Sequence, residues 1–294
     1  MEKGDNCSNS YIENFLQFLK IQKNISENTL LAYRRDAEQF FDFLKKRSKN
    51  IKYADKVLIR DFLTHLAGDK KKSTIIRKIA VLRSFFGFLV KCKVIQSSPM
   101  DMIFSQKKDN YLPKFLTIEE VDRLINSADT SDVSGLRDRA ILELLYSSGM
   151  RVSELVGLNK NDVDFISGCL KVTGKGSKQR IVPVGDTALD VLRKYIRMKT
   201  DDSQILFTGR KFTRLTSRSI QMMLKKYLNI AGIDKKITPH SLRHTFATHL
   251  LDAGCDIRSV QEMLGHKSIT TTQIYTHVTA SKMKKIYDKV HPRS

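Results

Sequence analysis

TPHSLRHTFATHLL, residues 238–251, reads as a helix whose start is written into it. Thr238 is an N-cap residue that can accept from the free N–H groups of the first turn, and Pro239 brings the φ of a first helical position. His240 and Arg243, three apart on that helix, share a face, so an imidazole and a guanidinium can point at one target. A guanidinium offers a planar fork of donors that matches a phosphate. Taken alone, the pair is equally a surface histidine and a surface arginine. His240 and His244 have the spacing of a zinc-binding helix, but Ser241 stands where the zinc protease motif has its glutamate, so no metal is assigned. His249 reads as a histidine packed against its neighbours.

Working outward, Leu264-Gly265-His266 puts a glycine at a helix C-terminus and a histidine in the turn beyond it. Tyr275 follows in the run Thr270-Thr-Thr-Gln-Ile-Tyr275-Thr-His277; the plain reading of any such tyrosine is a core ring with its hydroxyl satisfied. Upstream, a helix over about 135–148 stops at Gly149, a natural left-handed terminator. In Gly149-Met-Arg151-Val-Ser-Glu154 an arginine then opens a short helix, where anions are favoured, and Glu154 can brace it across one turn. The runs CLKVT and RIVPV are β-rich and flank Gly174-Lys175-Gly176-Ser177-Lys178, which predicts a small antiparallel hairpin with Lys175 on a flexible loop. That lysine is otherwise one solvated charge among many.

The N-terminal part reads as four helices with basic outer faces. Ser26 can cap a helix beginning near Glu27, on which Phe40, Phe41, Phe43 and Leu44 crowd one side. After Ser73, Ile76, Ile79, Leu82, Phe86 and Leu89 form one apolar stripe, with Arg77, Lys78 and Arg83 off it. Pro99 and Pro113 bracket a polar stretch that reads as a linker. Thr117-Ile-Glu-Glu120 has capping-box spacing and opens the next helix. The expected fold is therefore mainly α with a small antiparallel β-sheet, in two domains. Residues 1–98 form a helical bundle, 99–113 a linker, and 114–294 a mixed α+β domain.

Composition narrows the partner. The chain of 294 residues carries 52 Lys and Arg against 31 Asp and Glu, a formal charge of +21, with 41% hydrophobic residues. A field of that sign attracts polyanions, nucleic acid above all, although a basic solvated face or an anionic membrane surface has the same composition. No run of about 18 apolar residues is present to span a bilayer. The four cysteines are far apart and form no CxxC pair, which speaks against zinc and against a disulfide framework, so a reducing, cytoplasmic location is expected.

Each of these signals is weak by itself. Together, the ordered set Arg151, Lys175, His240, Arg243, His266 and Tyr275 resembles the catalytic set of the tyrosine recombinases, the phage-integrase family. The strings SGMRVSELVGL, VTGKGSKQRIVPV, TPHSLRHTFATHLL and LGHKSITTTQIYTHV are similar to that family's. SENTLLAYRRD resembles its DNA-clamping core-binding domain, and the final HPRS is similar to an Xer-type terminus. The resemblance implies site-specific cleavage and rejoining of double-stranded DNA through a 3′-phosphotyrosine on Tyr275 and a Holliday junction. Arg151 and Arg243 would hold phosphate oxygens and His240 would take the tyrosine proton. Lys175 would be the general acid, and His266 would donate to the phosphate. It implies no metal, no cofactor and no ATP, in keeping with the lack of a GxxxxGK[ST] motif. It further implies a homo- or hetero-tetramer with a sister Xer recombinase, a terminal segment that contacts a neighbouring protomer, a possible DNA-translocase activator, and a role in resolving chromosome or plasmid dimers. A non-catalytic DNA-binding protein, a type IB topoisomerase-like enzyme and a metal-dependent nuclease are the competing expectations.

Overall fold

The computed structural model describes residues 3–293 apart from 24, 26, 104–114, 175–177, 210 and 266–276; for residues 3–8, 23 and 277–282 it describes the backbone. The chain divides into two compact units, Met1–Tyr111 and Leu112–Ser294.

The first unit is helical: α1 (Lys3–Lys23), α2 (Glu27–Lys46), a 3-10 turn at Ile51–Tyr53, α3 (Lys56–Ala67) and α4 (Lys72–Lys91). Ser26, the expected cap of α2, lies outside the described residues. Asp55 caps α3 by accepting from the Leu58 N–H at 2.8 Å, which satisfies one of the helix's unpaired donors. The core is built from phenylalanines. Phe40 meets Phe62 and Phe86 edge-on at ring separations of 5.0 and 5.8 Å, and Phe15 meets Phe85 at 5.1 Å. Each such ring, buried, contributes about 1.5–3 kcal/mol. Met100 and Ile103 belong to the same core, so packed chain continues past residue 98 into the expected linker.

Helix α4 differs from its sequence reading in two ways. It begins at Lys72, ahead of Ser73, and Val81, Phe85 and Phe88 are buried beside Ile79, Leu82, Phe86 and Leu89, so its apolar surface is far wider than one stripe. Lys78 is not on an outer basic face. It is buried against Asp36 of α2, with its Nζ 2.5 Å from the carboxylate, and Arg77 pairs with the same group. A buried cation persists only where a counter-charge meets it, and the partner lies on another helix, where periodicity within α4 does not reveal it.

The second unit carries α5 (Ile118–Asn126), α6 (Val133–Ser148), α7 (Val152–Gly157), a 3-10 turn at Lys160–Asp162, and strands β1 (Val163–Asp164), β2 (Cys169–Thr173) and β3 (Gln179–Pro183). Helices α8 (Asp186–Met198), α9 (Ser217–Ile230), α10 (Pro239–Asp252), α11 (Ile257–Leu264) and α12 (His277–Val290) follow. The strands form an antiparallel sheet in the order β1-β2-β3. The expected capping box is present at α5, where Thr117 and Glu120 bond reciprocally. Helix α6 is buried on almost every side and forms the centre of the unit, which explains why its sequence is apolar without a clear stripe. Helix α12 packs on its own unit: Met283 and Tyr287 join Phe246, Leu250 and Val260 in one cluster. Beyond it Arg293 grips the buried Glu143 and the half-exposed Asp122, each at 2.5 Å.

The Asp36–Lys78 pair gives a stability test. Asp36→Ala strands a buried ammonium and is expected to cost about 3–5 kcal/mol in urea unfolding of the full chain, while Asp36→Leu with Lys78→Met recovers most of it. A loss under about 1 kcal/mol from Asp36→Ala contradicts the pairing.

Candidate active site

The site grows from two helix ends. Helix α6 stops at Gly149, at φ +56°, and a Cβ there would lie 2.3 Å from Cδ1 of Phe246, so only glycine lets this terminus approach α10 so closely. Helix α11 stops in the same left-handed way at Gly265, φ +67°. Between these ends stands Arg243. Its Nη1 donates to the Gly149 carbonyl at 2.7 Å and its Nη2 to the Leu264 carbonyl at 2.6 Å. Helix C-termini carry partial negative charge, which suits a cation. The side chain is buried, and burial, reinforced by repulsion from Arg151 and Arg180, pushes its pKa down to about 10, which leaves it charged at neutral pH.

A second guanidinium enters through Glu154. The Arg151 N–H donates to Glu154 Oε2 at 2.7 Å and Arg151 Nη1 to Oε1 at 2.8 Å, the brace expected from the sequence. Arg180, from β3, grips the same carboxylate with both ends of its fork, Nη1 to Oε1 at 2.8 Å and Nη2 to Oε2 at 2.9 Å. Burial alone would raise the Glu154 carboxyl, but the hydrogen bonds from Arg180 and Arg151 outweigh it and hold the group at about 2. Two guanidiniums thus grip one carboxylate, and Arg243 lies near enough to feel both arginines and Glu154, which leaves two positive charges in excess among these four groups. Arg151 is the open member, 45% exposed, whereas Arg180 is 8% exposed. A protein tolerates uncompensated charge of this kind where an anion is to be held.

Of the expected residues, Arg151 and Arg243 are brought together. His240 sits in the first turn of α10, exposed, one turn before Arg243; Thr238 caps that turn by accepting from the Ser241 N–H at 3.2 Å, with Pro239 at the first turn as expected. Lys175, His266 and Tyr275 lie outside the described residues. Gly174 and Lys178, on either side of the undescribed residues, are joined by a bond from the Gly174 N–H to the Lys178 carbonyl at 2.8 Å. His249 is buried and hydrogen-bonded to the Tyr146 hydroxyl at 2.8 Å, a packed histidine as its sequence context indicated. Arg180 was given no role from sequence. A signal was available: in β3 it shares the inward face with Val182, and an arginine at an inward position needs a buried partner.

The model of the phage integrase family matches residues 114–282, and that of the family's N-terminal SAM-like domain matches residues 12–93. The chain belongs to the phage integrase family. This recombinase is 43% identical to the tyrosine recombinase XerC of Thermodesulfovibrio yellowstonii over 97% of each chain. It is 42% identical to the tyrosine recombinase XerD of Staphylococcus epidermidis, over 97% of its own length and 100% of that relative's. The crystal structure of the XerH site-specific recombinase, bound to its difH substrate before cleavage, matches with a TM-score of 0.68 at 25% identity, covering 90% of this chain and 80% of that one. The recombinase is thus of Xer type and acts in site-specific DNA recombination, with near-equal identities to XerC and XerD.

The depressed Glu154 carboxyl fixes a sign. A group held at about 2 against an ordinary 4.5 adds stability that is fully present above about pH 4.5 and is lost as the pH falls towards 2. The stability gap between wild type and Glu154→Gln, measured by urea titration, is expected to be constant from neutral pH down to about 5 and to narrow below it. A gap that widens on acidification contradicts the ion pairing.

Proposed function

We propose that Tyr275 attacks the scissile phosphorus of a DNA strand while Arg151 and Arg243 hold its non-bridging oxygens. The observation that carries this reading is the excess positive charge gathered around Glu154 and the two helix ends, in a chain of the phage integrase family. A phosphodiester is anionic, and attack adds charge to its oxygens, so fixed guanidiniums favour the transition state over the ground state. The tyrosine oxygen bonds to phosphorus as the bond to the 5′-oxygen breaks. His240 takes the phenolic proton, and Lys175 supplies a proton to the departing oxygen. His266 donates a hydrogen bond to the phosphate. The phosphotyrosine keeps the energy of the ester, so the 5′-hydroxyl of the exchanged strand reseals the backbone without ATP. The arginines supply the positive charge that a metal would otherwise bring.

The substrate in this reading is a specific double-stranded site, bound largely through its phosphates by a chain of charge +21. The helical unit serves as the DNA-clamping half and the second unit as the catalytic half. Four protomers, alone or with a sister Xer recombinase, exchange strands in pairs through a Holliday junction, and a DNA translocase is a candidate activator. The terminal segment that packs on its own unit is the candidate for contact between protomers. Resolution of chromosome or plasmid dimers in the cytoplasm is the biological role that fits best; among the described residues no helix is long and apolar enough to cross a membrane. A topoisomerase-like monomer shares the chemistry, but the match to recombinases along nearly the whole chain favours recombination.

A nicked suicide duplex carrying a candidate site tests this directly, with adducts resolved on a denaturing gel. Wild type is expected to form an adduct that maps to Tyr275 and persists in EDTA. Tyr275→Phe is expected to bind DNA but to form none, and Arg243→Ala to lose about 10²–10³ in cleavage rate with a much smaller change in binding. Normal cleavage by Tyr275→Phe overturns the assignment. Parallel losses of binding and cleavage in Arg243→Ala make Arg243 a docking residue.

A further inference from the structure

Arg180 is the one member of the charge cluster with no part in the scheme above, and its contacts are the most far-reaching. Its register partner across the sheet is Val172, and its side chain points inward, 8% exposed. Both ends of its fork are spent on Glu154 at 2.8 and 2.9 Å, and its Nε donates to the Met263 carbonyl at 3.3 Å, in the last turn of α11. Gly265 lies flat against it: a Cβ there would come within 2.9, 3.0 and 3.3 Å of Cδ, Nε and Cζ. On the other side, the Cβ position of Gly174 is 3.5 Å from Glu154 Oε1 and 3.8 Å from Arg180 Nη1. One side chain therefore bonds the brace of Arg151 and packs against Gly265, the residue before His266, while Gly174, the residue before Lys175, lies close by.

We propose that Arg180 is a positioning residue for strand cleavage: acting through Glu154 it fixes the Arg151 guanidinium, and by its contacts with Met263 and Gly265 it sets the end of α11 that leads to His266. The proposal rests on the catalytic assignment of Arg151 and His266. Arg180 does not itself meet the DNA phosphate, because it is enclosed and its fork is already taken. Its work is to keep Glu154 ionised and in one orientation, so that Arg151 is held by a charge-assisted bond on one side and presents its open side to the substrate. The charged groups that face Glu154 among the described residues are Arg151 at the N-cap of α7, Arg180 from β3 and Arg243 from α10. With Arg180 removed, burial of Glu154 is opposed by fewer donors and its carboxyl rises, which loosens its hold on Arg151 as the solution is acidified.

The test is single-turnover adduct formation on the suicide duplex at saturating protein, from about pH 5.5 to 8.5, alongside DNA-binding titrations. Arg180→Met is expected to bind DNA within about 3-fold of wild type and to form adduct roughly 10- to 100-fold more slowly, with a further fall at low pH that wild type lacks. Adding Glu154→Gln to Arg180→Met is expected to remove that acid limb while the rate stays low. Arg180→Lys, which keeps the charge but not the fork, is expected to fall between. Should Arg180→Met fail to fold, Arg180→Lys and the double variant decide by the same rates and pH profiles. Wild-type rate and pH profile in the variants overturn the proposal, as does a pH-independent loss that follows a loss of DNA binding. Absence of any wild-type adduct at Tyr275 would instead overturn the catalytic assignment beneath it.

Discussion

A carboxylate enclosed by two guanidiniums organises the catalytic unit. Glu154 receives four hydrogen bonds, two from Arg151 and two from Arg180, and each reaches it from a different part of the chain. Burying a carboxylate is costly by itself, and burying an arginine is costly by itself; together, with every donor aimed, the cost falls enough to be borne. The pairing ties β3 to α7, and the Arg180–Met263 bond ties β3 to the end of α11. The third guanidinium is held differently. Arg243 has no carboxylate partner among its hydrogen bonds and leans on two carbonyls at helix C-termini, which offer partial charge without cancelling a full one. The cluster stays positive because its anchors are dipoles as well as anions.

That distinction connects fold to chemistry. A site that neutralised all three guanidiniums would be more comfortable in the free protein and poorer at holding a phosphate. Fixed dipoles and charges that need not reorganise when charge develops on a substrate are a strong lever for catalysis. Two left-handed glycines make the anchoring possible. Gly149 admits the end of α6 to the face of α10, and Gly265 lets the end of α11 lie on Arg180, so backbone carbonyls reach positions that a chain with side chains there would block.

What the sequence disclosed follows the range of each interaction. The caps of α5 and α10, the stop of α6 at Gly149 and the Arg151–Glu154 brace involve residues within one or two turns, and all were legible. The hairpin was legible because its strands are adjacent in the chain. Lys78 was misread because its partner Asp36 lies on another helix, and Arg180 was passed over because Glu154 is 26 residues away. The roles of Lys175, His266 and Tyr275 came from resemblance to a family, since an isolated lysine, histidine or tyrosine in a polar stretch of sequence has no local signature of catalysis.

A positive excess that serves to meet charge on a reacting phosphate matters only where that charge is present. The most direct measurement compares wild type and Arg243→Ala on two suicide duplexes, one with the natural scissile phosphate and one with an uncharged methylphosphonate at that position. If the guanidinium serves the developing negative charge, the rate lost on removing it is large on the natural duplex and much smaller on the neutral one. An equal loss on both substrates would contradict the account and make Arg243 a structural post between two helices.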